Sequence, residues 1–208
     1  MQIVKIPRKM FQRHEILKFV TIIKANHLKR SQIMLRIFTT QLTGLTKEFL
    51  QKQEEQLEDA ARLLAQAAIS GGTIYIAAYG EMKAIQAEAL HGKEPLIQAA
   101  AFTDEACKQL SDRDRIILAT RSSDDPEAVA LAKSLHQKGI PFLSITTLTG
   151  NADDSLVSFS DIILNLGIQH SLVPTDNGSR IGYPASLLGL YAYFYLSLTL
   201  KDMLMELE

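Results

Sequence analysis

The sequence predicts one α/β domain built on a doubly wound parallel sheet, and three observations support this. Short apolar runs alternate with helical segments across residues 73–167, which is typical of a parallel sheet covered on both faces. The length of 208 residues suits a single domain. A hydrophobic fraction of 47% with only 22% charged residues provides for a sizeable core.

The elements follow in a regular order. A first helix is predicted over 41–68, where Leu50, Leu57 and Leu64 recur at seven-residue spacing, and "SGG" ends it. The strand candidates are, in order, TIYIAAY, PLIQAAAF, RIILAT, IPFLSITTL and DIILNLG. The helices between them are EMKAIQAEAL, DEACKQL and PEAVALAKSLHQKG, the last closed by Gly139. Right-handed crossovers then give a flavodoxin-like five-stranded parallel sheet with long N- and C-terminal helices.

The last helix is predicted over 184–208 and carries no charge over 185–200. Those 16 residues are fewer than the roughly 20 that span a bilayer. Burial against the sheet or in a subunit interface is therefore the preferred interpretation, and no membrane association is expected.

Several classes of site are excluded by missing motifs. The chain has no GxGxxG, GxxxxGK[ST] or GxSxG pattern, so dinucleotide binding, P-loop hydrolysis and the α/β-hydrolase elbow lack support. Cys107 is the single cysteine, which excludes an internal disulfide and fits a reducing cytoplasm. The five histidines are scattered. We therefore predict no metal site and no cofactor.

Charge is distributed unevenly along the chain. Residues 1–33 carry a net +7, whereas residues 34–208 carry −8, so the body is not expected to bind nucleic acid. Three interpretations of the basic segment are open: an arm for RNA or anionic lipid, a targeting peptide, or an extension outside the native fold. The third is favoured because Met34 opens a stretch that reads as a natural start, leaving 34–208 as the domain.

Three polar loops are expected to share one pocket. In doubly wound sheets, ligands bind beyond the carboxyl ends of the strands, near the point where strand order reverses. The loops predicted at those ends are 79–83, 120–125 and 146–151. The hydroxyl-rich "ATRSSDDPEAV" contains the second of them and leads directly into a helix.

The order of these segments resembles the sugar isomerase (SIS) domain family, which binds phosphosugars. "GGTIYIAAYG" is similar to the opening strand of the family, and "DRIILATRSSDDPEAVALAKSLHQKGIPFLSITTLTG" to its second half. "SDIILNLG" matches the usual fifth strand, and "GSRIGYPASLLGLYAYFYLSLTLKDMLMELE" the closing segment. The resemblance spans about Leu42 to Leu204. It points to phosphoheptose isomerases and to an uncharacterised SIS-like group in low-GC Gram-positive bacteria.

This resemblance implies a phosphate-binding loop after the third strand. Thr120 and Ser122 fall at its hydroxyl positions, and Arg121 offers a guanidinium to the phosphate. Ser123 falls where a glycine is usual, and Asp125 where a Ser or Thr is usual. The other ligand-binding candidates are Tyr79, Gly80, Lys83, Thr147 and Arg180.

Asp125 also has a local interpretation that competes with phosphate binding. Asp125-Pro126-Glu127 has the residue types of a helix start, with Asp at the N-cap and Pro in the first turn. A capping carboxylate accepts from the N–H groups that a phosphate would use. It also repels a dianion.

The catalytic residues of the phosphoheptose isomerases do not carry over. The resemblance aligns Glu88 with the first of two successive acids, but the catalytic acid corresponds to Ala89, and the histidine of the last helix corresponds to Ala185 or is displaced. Glu81 and Glu88 remain the candidate bases. Whether the chain is an enzyme stays open; if it is, a phosphosugar isomerase is implied.

Two functions from different classes follow from these observations. The first is a protein that binds a phosphorylated sugar or related small metabolite, for catalysis or regulation. The second is a non-catalytic scaffold or regulatory interaction protein that kept the fold and lost the sugar. In either case we expect a cytoplasmic homodimer or homotetramer assembled through the terminal helices.

Overall fold

The computed structural model describes residues 13–150 and 154–206, with side chains described from residue 30 onward. Its central sheet has five parallel strands in the order β2-β1-β3-β4-β5. The strands are β1 (Ile74–Ala78), β2 (Ala99–Ala101), β3 (Arg115–Ser122), β4 (Phe142–Thr147) and β5 (Ile162–Asn165). The helices are α1 (Arg13–Ser70), α2 (Lys83–His91), α3 (Asp104–Gln109), α4 (Pro126–Gln137) and α5 (Ala185–Met205).

This order confirms the predicted flavodoxin-like topology and both terminal helices. The chain moves from β1 outward to β2, then returns past β1 to continue through β3, β4 and β5. The strand order therefore reverses between β1 and β3, which is the switch point of the sheet. A short antiparallel hairpin, β6 (Val173–Pro174) and β7 (Arg180–Ile181), precedes α5.

Some boundaries differ from the prediction. The first helix begins at Arg13 rather than residue 41, so α1 has 58 residues and a length of about 87 Å. The second strand covers only Ala99–Ala101, because Gln98 has a φ of +51° and interrupts extended backbone just before it. The third strand continues to Ser122 through an irregularity that shifts its register with β4.

The end of α1 is fixed by a glycine pair, as predicted. Gly71 has a φ of +71°, and the N–H of Gly72 donates to the carbonyl of Ala67 at 2.8 Å. A Cβ on Gly72 would lie 2.2 Å from the carbonyl oxygen of Arg113, so this position admits only glycine. The helix therefore stops where β1 must begin.

Two apolar layers cover the two faces of the sheet. The first face packs against α1, α2 and α5, with Leu57, Leu64 and Leu196 nearly inaccessible to solvent. The second face packs against α4, with Leu118, Ala132 and Leu135 in its centre. Among the described helices, α5 included, none is long and apolar enough to cross a membrane.

A buried aspartate ties together the amino ends of the strands. Asp114 is 6% exposed, and its carboxylate accepts hydrogen bonds from the Thr73 N–H at 2.8 Å and the Ser111 N–H at 2.8 Å. The Ser111 hydroxyl adds a third at 2.9 Å. These contacts hold the turn before β3 against the start of β1.

We predict that Asp114→Ala lowers the free energy of unfolding by about 2–3 kcal/mol, because two backbone donors lose a charged acceptor. Urea denaturation would measure the change. Asp112→Ala is the matched control, since Asp112 lies exposed in the same turn and should change stability by less than about 0.5 kcal/mol. Equal losses in both variants would contradict this role for Asp114.

Candidate functional site

An ion pair spans the switch point at the carboxyl edge of the sheet. The Arg121 guanidinium donates from Nε to Glu81 Oε1 and from Nη2 to Glu81 Oε2, each at 2.6 Å. Glu81 follows β1, and Arg121 lies near the end of β3. Two of the three loops predicted to share a pocket therefore meet here.

Local backbone geometry brings these two side chains together. Gly80 has a φ of +54° and opens a single 3-10 turn, Gly80–Met82, that carries Glu81. Ala78, the last residue of β1, pairs with Ala119, so β3 extends further along the edge and presents Arg121 beyond its neighbour. Each partner is partly open to solvent, with side-chain exposures of 60% for Arg121 and 34% for Glu81.

The pair shifts the ionisation of both groups. The hydrogen bond from Arg121 is the main cause that lowers the pKa of Glu81 below its ordinary value. The same hydrogen bond raises the pKa of Arg121, and the negative charge of Glu81 raises it further. At neutral pH both groups are charged, and the pair is a fully formed bidentate contact.

The loop before α4 satisfies much of its own hydrogen bonding. Asp125 caps α4 as predicted: its Oδ1 accepts from the N–H groups of Glu127 and Ala128, both at 3.1 Å. The Ser122 hydroxyl donates to Asp124 at 2.6 Å, and hydrogen bonds from Ser122 and then Thr149 lower the pKa of Asp124. The carboxylates of Asp124 and Asp125 thus accept hydrogen bonds from donors that the resemblance to SIS domains assigns to a phosphate.

Ser123 joins the second and third loops. It is fully buried, and its Oγ accepts from the Thr149 N–H at 3.1 Å. Its own N–H donates to the Thr147 carbonyl at 3.0 Å, and its carbonyl accepts from the Leu156 N–H at 2.9 Å. This side chain, at a position where the family has glycine, fixes the two loops against each other.

The remaining candidates lie in different surroundings. Tyr79 is half-buried on the second face, and burial raises its pKa, followed by the charges of Glu127 and Asp125. Lys83 is exposed at the first position of α2. Arg180 donates to the backbone carbonyls of Ser171 at 2.6 Å and Leu172 at 2.9 Å, so its guanidinium holds the β6–β7 hairpin.

Glu88 lies away from the switch point. It follows Lys83 by five residues on α2, which corresponds to about 7.5 Å along the helix. Its charge contributes, after burial, to raising the pKa of Tyr193 on α5 to about 12. Of the two candidate bases, only Glu81 therefore lies at the carboxyl edge of the sheet.

Three buried hydroxyls lie near the carboxyl ends of β3 and β4. Within the described part of the chain, the Oγ1 atoms of Thr120, Thr146 and Thr147 have no hydrogen-bond partner. All three residues are less than 5% exposed. Buried polar atoms of this kind call for an explanation, because leaving a hydroxyl unpaired in the interior costs about 1–3 kcal/mol.

A cavity that the sequence did not reveal lies beside this edge. It has a volume of about 500 Å³ and opens between α1 and the ends of β4 and β5. We call it the α1–β5 crevice; its walls include Phe49, Lys52, Gln53, Thr147, Asn165 and Ile168. Thr147, predicted as a ligand contact, lines this crevice. No motif signals it, because its walls come from segments more than 90 residues apart.

Comparison with known proteins assigns the chain to a family. Residues 34–204 match the domain of unknown function DUF2529. The chain belongs to the DUF2529 family. The uncharacterized protein YwjG of Bacillus subtilis (strain 168) is 37% identical to this chain over 175 residues, covering 83% of this chain and 99% of that protein. The predicted likeness to an uncharacterised group in low-GC Gram-positive bacteria is confirmed.

Solved structures confirm that this DUF2529 chain has the SIS fold. A phosphoheptose isomerase from Francisella tularensis superposes with a TM-score of 0.54 at 17% identity, covering 86% of this chain and 98% of that one. The Vibrio vulnificus NanR protein complexed with ManNAc-6P superposes with a TM-score of 0.55 at 17% identity, covering 88% of this chain and 67% of that one. At these identities the likeness concerns the fold.

We predict that the pKa of Glu81 depends on Arg121. Because its folded-state pKa lies below the ordinary value of 4.5, the pair stabilises the fold above pH 4.5 and loses that contribution as the pH falls through the lowered pKa. NMR titration of the Glu81 carboxyl should give a higher pKa in Arg121→Ala than in the wild type. The same pKa in both proteins would show that the pair does not form in solution.

Proposed function

We propose that this protein binds a phosphorylated sugar or a closely related anionic metabolite at the switch point, without the acid–base chemistry of phosphoheptose isomerases. The observation that carries this proposal is the position of Arg121. Its guanidinium lies at the edge where doubly wound sheets bind ligands, half-exposed and held in a bidentate geometry that suits phosphate as well as carboxylate.

Binding requires Arg121 to exchange the Glu81 carboxylate for the phosphate of the ligand. Exposed ion pairs contribute only about 0–1 kcal/mol, so a dianion with a bidentate contact is able to displace Glu81. The backbone at the end of β3, from Thr120 to Ser122, then lies beside the bound group. Glu81 thereby acts as an internal competitor that sets a threshold for ligand concentration.

The surroundings of the positions aligned with catalytic residues support binding without isomerisation. Ala89 and Ala185 are 0% and 1% exposed and form part of the core that joins α2 to α5. An alanine side chain cannot transfer a proton, and the packed interior around these two alanines has no room for a charged group. NanR, which has the same fold, is complexed with a phosphosugar and is named without an isomerase activity.

The second candidate is a scaffold or regulatory interaction protein, and two features favour it. Asp124 and Asp125 place negative charge where a phosphate would approach α4. The outer face of α5 also exposes a row of large apolar side chains: Leu187, Phe194, Leu198 and Met205. In both candidates we propose a cytoplasmic homodimer or homotetramer, formed by residues 34–208 and assembled through the terminal helices.

We predict that Arg121→Ala weakens binding of sugar phosphates by about 10–100-fold, since a charged hydrogen-bonding partner is worth about 1.5–3 kcal/mol. Isothermal titration calorimetry with a panel that includes N-acetylmannosamine 6-phosphate and sedoheptulose 7-phosphate measures this. Arg62→Ala is the matched control, because Arg62 also pairs with acids, Glu58 and Asp59, but on the outer side of α1. No binding by any panel member at millimolar concentration favours the scaffold.

We predict that Asp125→Ser strengthens sugar-phosphate binding and leaves stability nearly unchanged. Serine caps a helix about as well as aspartate, so α4 keeps its start while the negative charge at the mouth disappears. Parallel calorimetry and thermal melting separate the two effects. Unchanged affinity in this variant would place the anion away from the N-terminus of α4.

A further inference from the structure

The α1–β5 crevice has the properties of a second ligand site, separate from the switch point. Its volume of about 500 Å³ lies within the 300–1,000 Å³ that is usual for small-molecule sites. The Glu81–Arg121 pair is not part of its lining. The crevice lies instead between α1 and the outer two strands of the sheet, β4 and β5.

A buried hydroxyl within this lining lacks a partner. Thr147 is 4% exposed, and among the described residues nothing bonds to its Oγ1. It lies on the same face of β4 as Leu143 and Ile145, which pack in the layer beneath α1. Thr146 points to the opposite face, toward the α4 side. Because this Oγ1 is itself closed to solvent, a ligand in the crevice reaches it only when the Thr147 side chain rotates, and that hydrogen bond would remove the penalty of the unpaired hydroxyl.

Hydrogen bonds through Asn165 join the ends of β4 and β5 to α1 beside Thr147. The Asn165 Oδ1 accepts from the N–H groups of Leu148 at 3.2 Å and Gly167 at 3.0 Å, and the Asn165 N–H donates to Gln53 Oε1 at 2.9 Å. Both acceptor positions of Asn165 are thus engaged, and its amide donors have no partner in the described ranges 13–150 and 154–206. These bonds fix α1 against β5, and Asn165, with its amide donors unpaired within those ranges, is part of the crevice lining.

The charges in the crevice cancel. Lys52 pairs with Glu48 at 2.6 Å one turn away on α1, and both line the cavity. An anionic ligand would gain from Lys52 but would be repelled by Glu48. A neutral ligand with several hydroxyls is able to donate to Glu48 and accept from Lys52 and Asn165. The side chains of Phe49, Leu166 and Ile168 supply apolar walls for the C–H faces of such a molecule.

We propose that the α1–β5 crevice binds a neutral polyhydroxylated small molecule of monosaccharide size, with Thr147 and Asn165 as hydrogen-bonding contacts. This site does not rest on the anion site at Arg121, and each is able to exist without the other.

NMR of the full chain tests the proposal with three neutral probes, D-glucose, N-acetyl-D-glucosamine and myo-inositol, each titrated to tens of millimolar. At least one probe is expected to shift the amide signals of Thr147, Asn165 and Gly167. No shift at these three amides with any of the probes would overturn the proposal.

Substitutions on β4 provide the matched comparison. Thr147→Val removes the unpaired hydroxyl and keeps the shape of the side chain, so the fold should be as stable as the wild type while affinity for the probe falls about tenfold. Thr147→Ser keeps the hydroxyl and should retain binding. Thr146→Val is the control, because it removes an equally buried and unpaired hydroxyl from the opposite face.

Two outcomes would contradict the assignment. Equal losses of affinity in Thr147→Val and Thr146→Val would show that the effect passes through the strand rather than the crevice. If Arg121→Ala no longer binds the neutral probe while Thr147→Val still binds it, the probe occupies the switch point instead of the crevice. If Thr147→Val does not fold, the amide shifts of the wild type decide alone. If the wild type binds a neutral probe but no sugar phosphate, only the anion site at Arg121 is refuted.

Discussion

Burial of the central strand β3 holds the sheet and both of its covering layers in place. Residues Ile116 to Ala119 are completely inaccessible to solvent, because β3 lies between β1 and β4 and is covered by an apolar layer on each face. Strands in this position have almost no freedom to shift register, since a one-residue slip would move every side chain to the other layer. Arg121 lies in the irregular segment between Ala119 and Ser122, where the register with β4 shifts, so the buried segment fixes where the site begins and the irregularity sets how its side chains are presented.

From this strand the edge divides into two regions with different electrostatics. Toward β1, Arg121 and Glu81 form an exposed pair of charges. Toward β4 and β5, hydroxyl and amide groups line a crevice in which Lys52 and Glu48 neutralise each other. Ser123 lies between the two regions, and its hydrogen bond from Thr149 joins the loop after β3 to the loop after β4. The two sites that we propose, one for an anion and one for a neutral hydroxylated molecule, therefore lie along the same edge of the sheet.

The loop before α4 shows how capping and anion binding compete for the same donors. Asp125 caps α4, and the resemblance to SIS domains places a phosphate-binding turn at this position. The same carboxylate, with Asp124 beside it, opposes a second negative charge. Capping needs only an acceptor, whereas phosphate binding needs free donors.

Much of the architecture was predictable because it depends on local patterns. The alternation of strand and helix, the Gly72 stop and the Asp125-Pro126 start each have a physical cause within a few residues. The start of α1 is harder to predict. The helix begins 28 residues before the expected boundary, because a helix that simply continues past residue 41 carries no cap there to mark it. The three polar loops were assigned to one edge from topology alone, and two of them meet through Glu81 and Arg121.

The fold class and the capping role of Asp125 follow from the sequence alone, since periodicity and capping act over short distances along the chain. The partners that the site residues take depend on the tertiary structure. Glu81 and Arg121 are 40 residues apart, and Gln53 reaches Asn165 across 112 residues. Such contacts depend on how α1 and the loops pack on the sheet, and that packing results from many weak apolar contacts that no short motif encodes.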